Sequence, residues 1–189
     1  MTDKKTMWDS AARAGLVLGC VSIAYMVVSG LLTKYCTQGV AVLLGNITSF
    51  VIWGVKFYAC IALMRYFLMR FSIENAEADR TDLKMYGRLI ALLSALIYSG
   101  FTLAYFKFIA PDSFSDAILA LQDNPMMTSA TLSEMESMIP RMPAISFFSN
   151  FIWCYLFGSI LTYILVGTIM PDNPFADGSG TEDENKTNE

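Results

Sequence analysis

Four long apolar blocks hold no charged residue but one, and this arrangement limits the chain to a narrow set of folds. Ala14–Leu32 runs for 19 residues, Leu89–Phe106 for 18 and Ala144–Met170 for 27, all without a charge. Val40–Met64 runs for 25 and is broken only by Lys56. About 20 mostly apolar residues cross a hydrocarbon core of roughly 30 Å, so each block is long enough to span it. Soluble helices of this length would show a polar face, and these blocks do not. A hydrophobic content of 54% in 189 residues could equally fill a soluble core. The gathering of apolar residues into blocks, not their total, therefore decides the class. The expected fold is all-α: a four-helix transmembrane bundle with an extracytoplasmic helical hairpin between spans 3 and 4.

The domain plan follows. Residues 1–13 form a cytoplasmic N-terminus, and 14–170 form one four-span domain with spans at about 14–32, 40–64, 89–106 and 144–170. The outer loop covers 107–143, and 171–189 is an acidic, disordered cytoplasmic tail. The first block is expected to stay as a span. Lys4, Lys5 and Arg13 precede it, but no small-x-small cleavage site follows. "VLGC" (Val17 to Cys20) loosely resembles a lipoprotein box, yet the chain stays apolar after the cysteine.

Orientation is read from Lys and Arg near the spans. Lys4, Lys5, Arg13, Arg65, Arg70, Arg80, Lys84, Arg88 and Lys186 fall on one side, and Lys34, Lys107 and Arg141 on the other. Nine against three places both termini and the 2–3 loop in the cytoplasm. That loop mixes acids among its basic residues and reads as a solvated face. All six prolines lie outside the spans, where a missing backbone donor does least harm.

The outer loop reads as two short amphipathic helices. Ser113 is the expected cap of the first, with Phe114, Ile118 and Leu121 on one stripe. "NPMM" breaks the chain, and Thr131 with Glu134 or Ser133 with Glu136 offers a capping box for the second.

Catalytic and metal chemistry find little support. The chain has no histidine, which removes Ser-His and Cys-His nucleophile pairs and histidine metal sites. No Gly-rich phosphate loop is present. Cys20, Cys36, Cys60 and Cys154 show no CxxC spacing and read as small apolar fillers, Cys36 excepted because it lies in a loop. No catalytic, cofactor-binding or metal residues are assigned, and no cofactor is expected.

What lines the bundle interior is more informative. Small residues recur along one face of each span: Gly15 and Gly19 four apart, then Ser22 and Ser29, in span 1; Gly87, Ala91 and Ala95 at steps of four leading into span 3; Asn150, Cys154, Gly158 and Thr162 at steps of four in span 4. Such stripes let helices pack closely in lipid. In span 2, Asn46, Ser49, Trp53, Lys56 and Cys60 share one face. The candidate intramembrane polar contacts are therefore Lys56, Asn46, Ser49, Trp53 and Asn150. Two readings of Lys56 stand side by side. If the surplus length of span 2 emerges at its cytoplasmic end, the lysine stem snorkels to headgroup phosphates. If the helix is centred, the ammonium sits deeper and needs tyrosine, asparagine or carbonyl partners, or meets an anionic lipid or a partner's acid. No Asp or Glu lies in any span to serve as an internal counter-ion.

The opening "AARAGLVLGCVSIAYMVV", the string "YFKFIAPDSF" and the proline-flanked "MPAISFFSNFIWCYLFGSILTYILV" carry a likeness. With the four-span plan, they resemble a domain-of-unknown-function family of small integral membrane proteins from Bacteroidetes. The likeness runs from about Ala11 to Phe175, and its most specific piece is the Phe-x-x-Pro-Asp end of span 3. It implies a bacterial inner-membrane protein without assigned activity, and family members encoded near lipid-linked glycosyltransferases. The expected function is a non-enzymatic accessory or scaffold subunit binding another membrane protein or a lipid in the cell envelope. A small transporter or channel component is one alternative, and an accessory to lipid-linked glycan synthesis another. The expected partners are the lipid bilayer, a membrane protein or a second copy of the chain (a homo-oligomer), and no nucleic acid. An enzyme on lipid-linked substrates would have to draw on the outer-loop acids Asp112, Asp116 and Asp123.

Overall fold

The computed structural model describes residues 4–35, 40–75, 77–122 and 128–170, with side chains at 4, 33–35, 40–46, 120 and 122 left aside. It is an all-α bundle. Helix α1 is Lys4–Tyr35, α2 Val40–Glu74, and α3 Arg80–Ala104, which continues as a π-helical turn over Tyr105–Ile109. Helix α4 is Ser113–Gln122, α5 Ser129–Met138, and α6 Met142–Ile169. Four stretches are long and apolar enough to cross a membrane, carried by α1, α2, α3 and α6.

The helices outrun the apolar blocks, and the extra turns have a purpose. Met7, Ala11, Ala14 and Leu18 form a buried stripe on α1 at alternating steps of four and three. Met64, Leu68 and Phe71 on α2 and Leu83, Tyr86 and Ile90 on α3 have the same spacing. These stripes meet Leu165 and Val166 of α6 in the hydrophobic core. Within it the Phe71 and Tyr86 rings stack at 4.0 Å, and Tyr86 shares a 3.0 Å hydrogen bond with Ser10. The segment read from sequence as a solvated 2–3 loop is thus mostly helix. Amphipathic heptad-like spacing, masked there by a high charge content, drives it into a soluble-type core. Only residues 75–79 link α2 to α3. Asp79 caps α3, its carboxylate accepting from the Asp82 N–H at 2.7 Å.

Helix α3 is central. It packs along both α1 and α6, whereas α2 leans mainly on α1 and touches α6 over a short stretch. Small residues fix these contacts. A Cβ at Gly15 would lie 2.8 Å from Leu93 Cβ, and one at Gly19 would lie 2.8 Å from Ile97 Cγ2, so α1 meets α3 almost backbone to side chain. On the other face, Gly87 abuts Thr162, and Gly158 abuts Ala91. Gly15, Gly19, Gly87 and Gly158 of the small-residue stripes thus sit at helix interfaces, as expected where apolar bulk gives no preference for helix over lipid.

At the far end, α3 loosens into its π-turn and stops before Pro111, whose ring disfavours helix at Ala110. Helix α4 folds back there, with Phe114 against Phe106 at 4.6 Å and Ile118 buried. Its cap differs from the sequence reading: the Asp116 N–H bonds the Asp112 carbonyl, so Asp112 takes the cap position and Ser113 is the first helical residue. Helix α5 is likewise capped by Thr128, whose hydroxyl accepts from the Thr131 N–H, and both Thr131 and Ser133 lie inside the helix. The capping-box pattern failed because three overlapping Ser/Thr positions fit the same helix. The "NPMM" break lies outside the described residues. Helix α5 contacts α4 and runs into α6 through a single 3-10 turn, Ile139–Arg141.

Candidate functional site

Lys56 lies inward. Its Nζ stands 4.8 Å from the ring centre of Tyr25 on α1 and 5.3 Å from that of Tyr98 on α3. Depth follows from the helix rise. On α3, Tyr98 is ten residues from Arg88 and nine from Lys107. At 1.5 Å per residue that places it about 15 Å from one charge and about 13 Å from the other, midway across a hydrocarbon core of roughly 30 Å. The ammonium faces two aromatic rings, the kind of partner that the deeper of the two placements requires.

The energetics are nearly balanced. Placing a lysine at the centre of a membrane helix costs about 2.5–3.5 kcal/mol on insertion scales. Each cation–π contact returns about 0.5–2 kcal/mol, more when water is excluded, so two rings offset most of that cost. The rings stabilise the charge without neutralising it.

Beside the ammonium is a cavity of about 320 Å³ between α2 and α6, floored by α1 and α3. Its polar groups are few: Lys56, Ser22, Ser94, Cys60 and Cys154. Ser94 already donates to the Ala91 carbonyl of its own helix at 3.1 Å. Apart from the indole N–H of Trp53 the rest of the wall is apolar, and Trp53, Phe57 and Phe157 line the side between α2 and α6. Phe57 and Phe157 touch across that seam at 5.3 Å between ring centres and are 37% and 45% exposed, so they belong to both the cavity and the outer surface.

A second, larger cleft of about 410 Å³ opens near the start of α1, lined by Asp9, Arg13, Arg70 and Glu74 among others. Arg70 and Glu74 pair with each other there at 2.7 Å while both remain exposed, as on an ordinary hydrated surface.

The structure brings three residues of the polar face on α2 to one cavity: Trp53, Lys56 and Cys60. Trp53 is also 48% exposed and stacks between Phe50 and Phe57. Ser49 is half-buried, and Asn150 is half-buried one turn before Cys154 on α6. The side chain of Asn46 lies outside the described residues. Asp112 and Asp116 are exposed near the π-turn, and Asp123 lies outside the described residues. Sequence reasoning missed Tyr25, Tyr98 and Phe157. A usable signal existed for the first, since Tyr25 is the sole aromatic residue in Ala14–Leu32.

Comparison with known proteins returns no matching family model, no matching curated protein and no matching solved structure.

Proposed function

We propose that this chain is a non-enzymatic component of a bacterial inner membrane that binds a lipid inside its bundle, at Lys56. The observation that carries the proposal is the ammonium held between Tyr25 and Tyr98, beside a cavity, in spans that contain no acid. An intramembrane charge that is stabilised but not neutralised is poised for an anion from outside the chain. A lipid fits better than a partner helix because Lys56 points inward, while a partner would meet the outer faces of α2 and α6. The distribution of Lys and Arg supports cytoplasmic termini, which would put α4 and α5 on the outer side. Passage through the bundle is less well supported than binding, since Met64, Leu68 and Ile90 pack tightly at the end nearer the termini. The absence of histidine and of any phosphate loop favours binding over turnover.

The test is gentle extraction from native membranes followed by mass spectrometry, comparing the intact protein with Lys56→Met. A stoichiometric anionic lipid, lost in the variant, is the expected result. Identical lipid content in two equally stable proteins overturns the proposal.

A further inference from the structure

Resting on that reading, we infer that the occupant is a single-chain carboxylic acid of the fatty-acid class, which reaches Lys56 from the bilayer between α2 and α6. Four features of the cavity narrow the choice.

The first is charge. Lys56 faces the cavity, and no Asp or Glu lies in any of the apolar blocks, so the complementary group must come with the ligand. The second is depth. A phospholipid phosphate stays ionised and hydrated at the interface, on the order of 15 Å from the level of Tyr98. A carboxylic acid has no such tie. Apolar surroundings favour its neutral form, which travels in hydrocarbon, and a cation favours its ionised form, which Lys56 would hold.

The third is size. Ligand pockets commonly span about 300–1,000 Å³. At about 320 Å³ this one is at the small end and suits one chain, not the paired chains of a diacyl lipid. The fourth is the wall. Ser22, Ser94, Cys60 and Cys154 accompany Lys56 in the lining, whereas Leu18, Met64 and Leu161 offer only apolar surface, and an amphiphile with one polar end requires both kinds of wall. The Phe57–Phe157 contact stands at the seam through which the chain would pass. These two rings are joined by no hydrogen bond or charge, so they can part without leaving a polar group unsatisfied.

The experiment uses purified full-length protein, stripped of lipid and returned to nanodiscs of zwitterionic lipid. Binding of oleate, oleyl alcohol and an oleoyl lysophosphatidylglycerol is measured by native mass spectrometry. A diazirine-bearing palmitate maps the site on the unaltered protein. Oleate is expected to bind one to one, at least tenfold more tightly than the alcohol. Lys56→Met is expected to remove that advantage, and Lys56→Arg to keep most of it. Label is expected on residues of α2 and α6 that line the cavity. Label confined to other surfaces overturns the inference even if Lys56→Met fails to fold. So does oleate binding that a folded Lys56→Met leaves unchanged, or lysophospholipid binding as tight as that of oleate. Lys56-dependent retention of a two-chain phospholipid without oleate binding sinks this inference and leaves the preceding reading intact. No Lys56-dependent ligand of any kind overturns both.

Discussion

Gly158→Ala adds one methyl group to α6, and the structure sets where that methyl must go. Its Cβ would lie 2.7 Å from the Cβ of Ala91 and 3.4 Å from its Cα, on the extensive seam between α3 and α6. Carbon atoms rest at about 3.5–4.0 Å, so the two helices must part by about 1 Å, which forfeits a quarter to a half of each displaced contact. Overpacking of this kind costs about 1–3 kcal/mol. Against it stands the better helix propensity of alanine, worth about 0.8–1.0 kcal/mol. The expected net loss is therefore about 0–2 kcal/mol, and about 1–3 kcal/mol relative to an alanine introduced where nothing crowds it. Gly54 supplies the control, because an added Cβ there meets nothing within 4 Å. Gly54→Ala should leave stability unchanged or raise it by up to about 1 kcal/mol. The assay is unfolding in mixed micelles with increasing sodium dodecyl sulfate, followed by tryptophan fluorescence. Ala91→Gly, combined with Gly158→Ala, moves the methyl from one helix to the other and should recover part of the loss. The resulting double-mutant coupling should lie within the range of about 0.5–3 kcal/mol seen for residues in contact. If Gly158→Ala behaves like Gly54→Ala, or the coupling is nil, the close approach of α3 and α6 is wrong.

Asp79→Ala removes the cap of α3 and should lower stability by about 0.5–2 kcal/mol, with faster hydrogen exchange at Asp82 as the local sign. Tyr86→Phe keeps the stacking on Phe71 but loses the Ser10 hydrogen bond. Its unfolding free energy should drop by about 0.5–1.5 kcal/mol, read in the same micelle titration, and Ser10→Ala on that background should add little.

The membrane-spanning character of this chain is legible because hydrocarbon thickness acts on length and charge, which any stretch of sequence displays. The glycine stripes at Gly15, Gly19, Gly87 and Gly158 announce close helix contacts for a similar reason, since only small residues permit them. Which helix meets which is another matter. In lipid the outward face of a span is as apolar as its inward face, so no stripe marks α3 as central. The polar face of α2 is visible as a spacing of three and four, and it leads to Lys56. The rings that receive the ammonium come from α1 and α3, more than thirty residues away from it along the chain in each direction. Single tyrosines in apolar runs carry no pattern that would couple them to a distant lysine. The extra turns of α2 and α3 hide differently. Arg65, Arg70, Lys84 and Arg88 make the segment look like a loop, although the apolar residues between them keep helical spacing.

The uneven placement of the core bears on how the chain is made. Met7 to Leu18 leave the ribosome first, but Thr162, Leu165 and Val166, against which the tight end of the bundle closes, leave only after the rest of the core has been synthesised. Helices α1 and α3 can pair through Gly15 and Gly19 once α3 is threaded, with α2 between them in sequence but resting mostly on α1 in space. Until α6 arrives, Gly87 and Ala91 face lipid or the insertion machinery with a groove that nothing yet fills. A chain stalled before residue 162 therefore lacks the residues of α6 that cover Gly87 on the central helix.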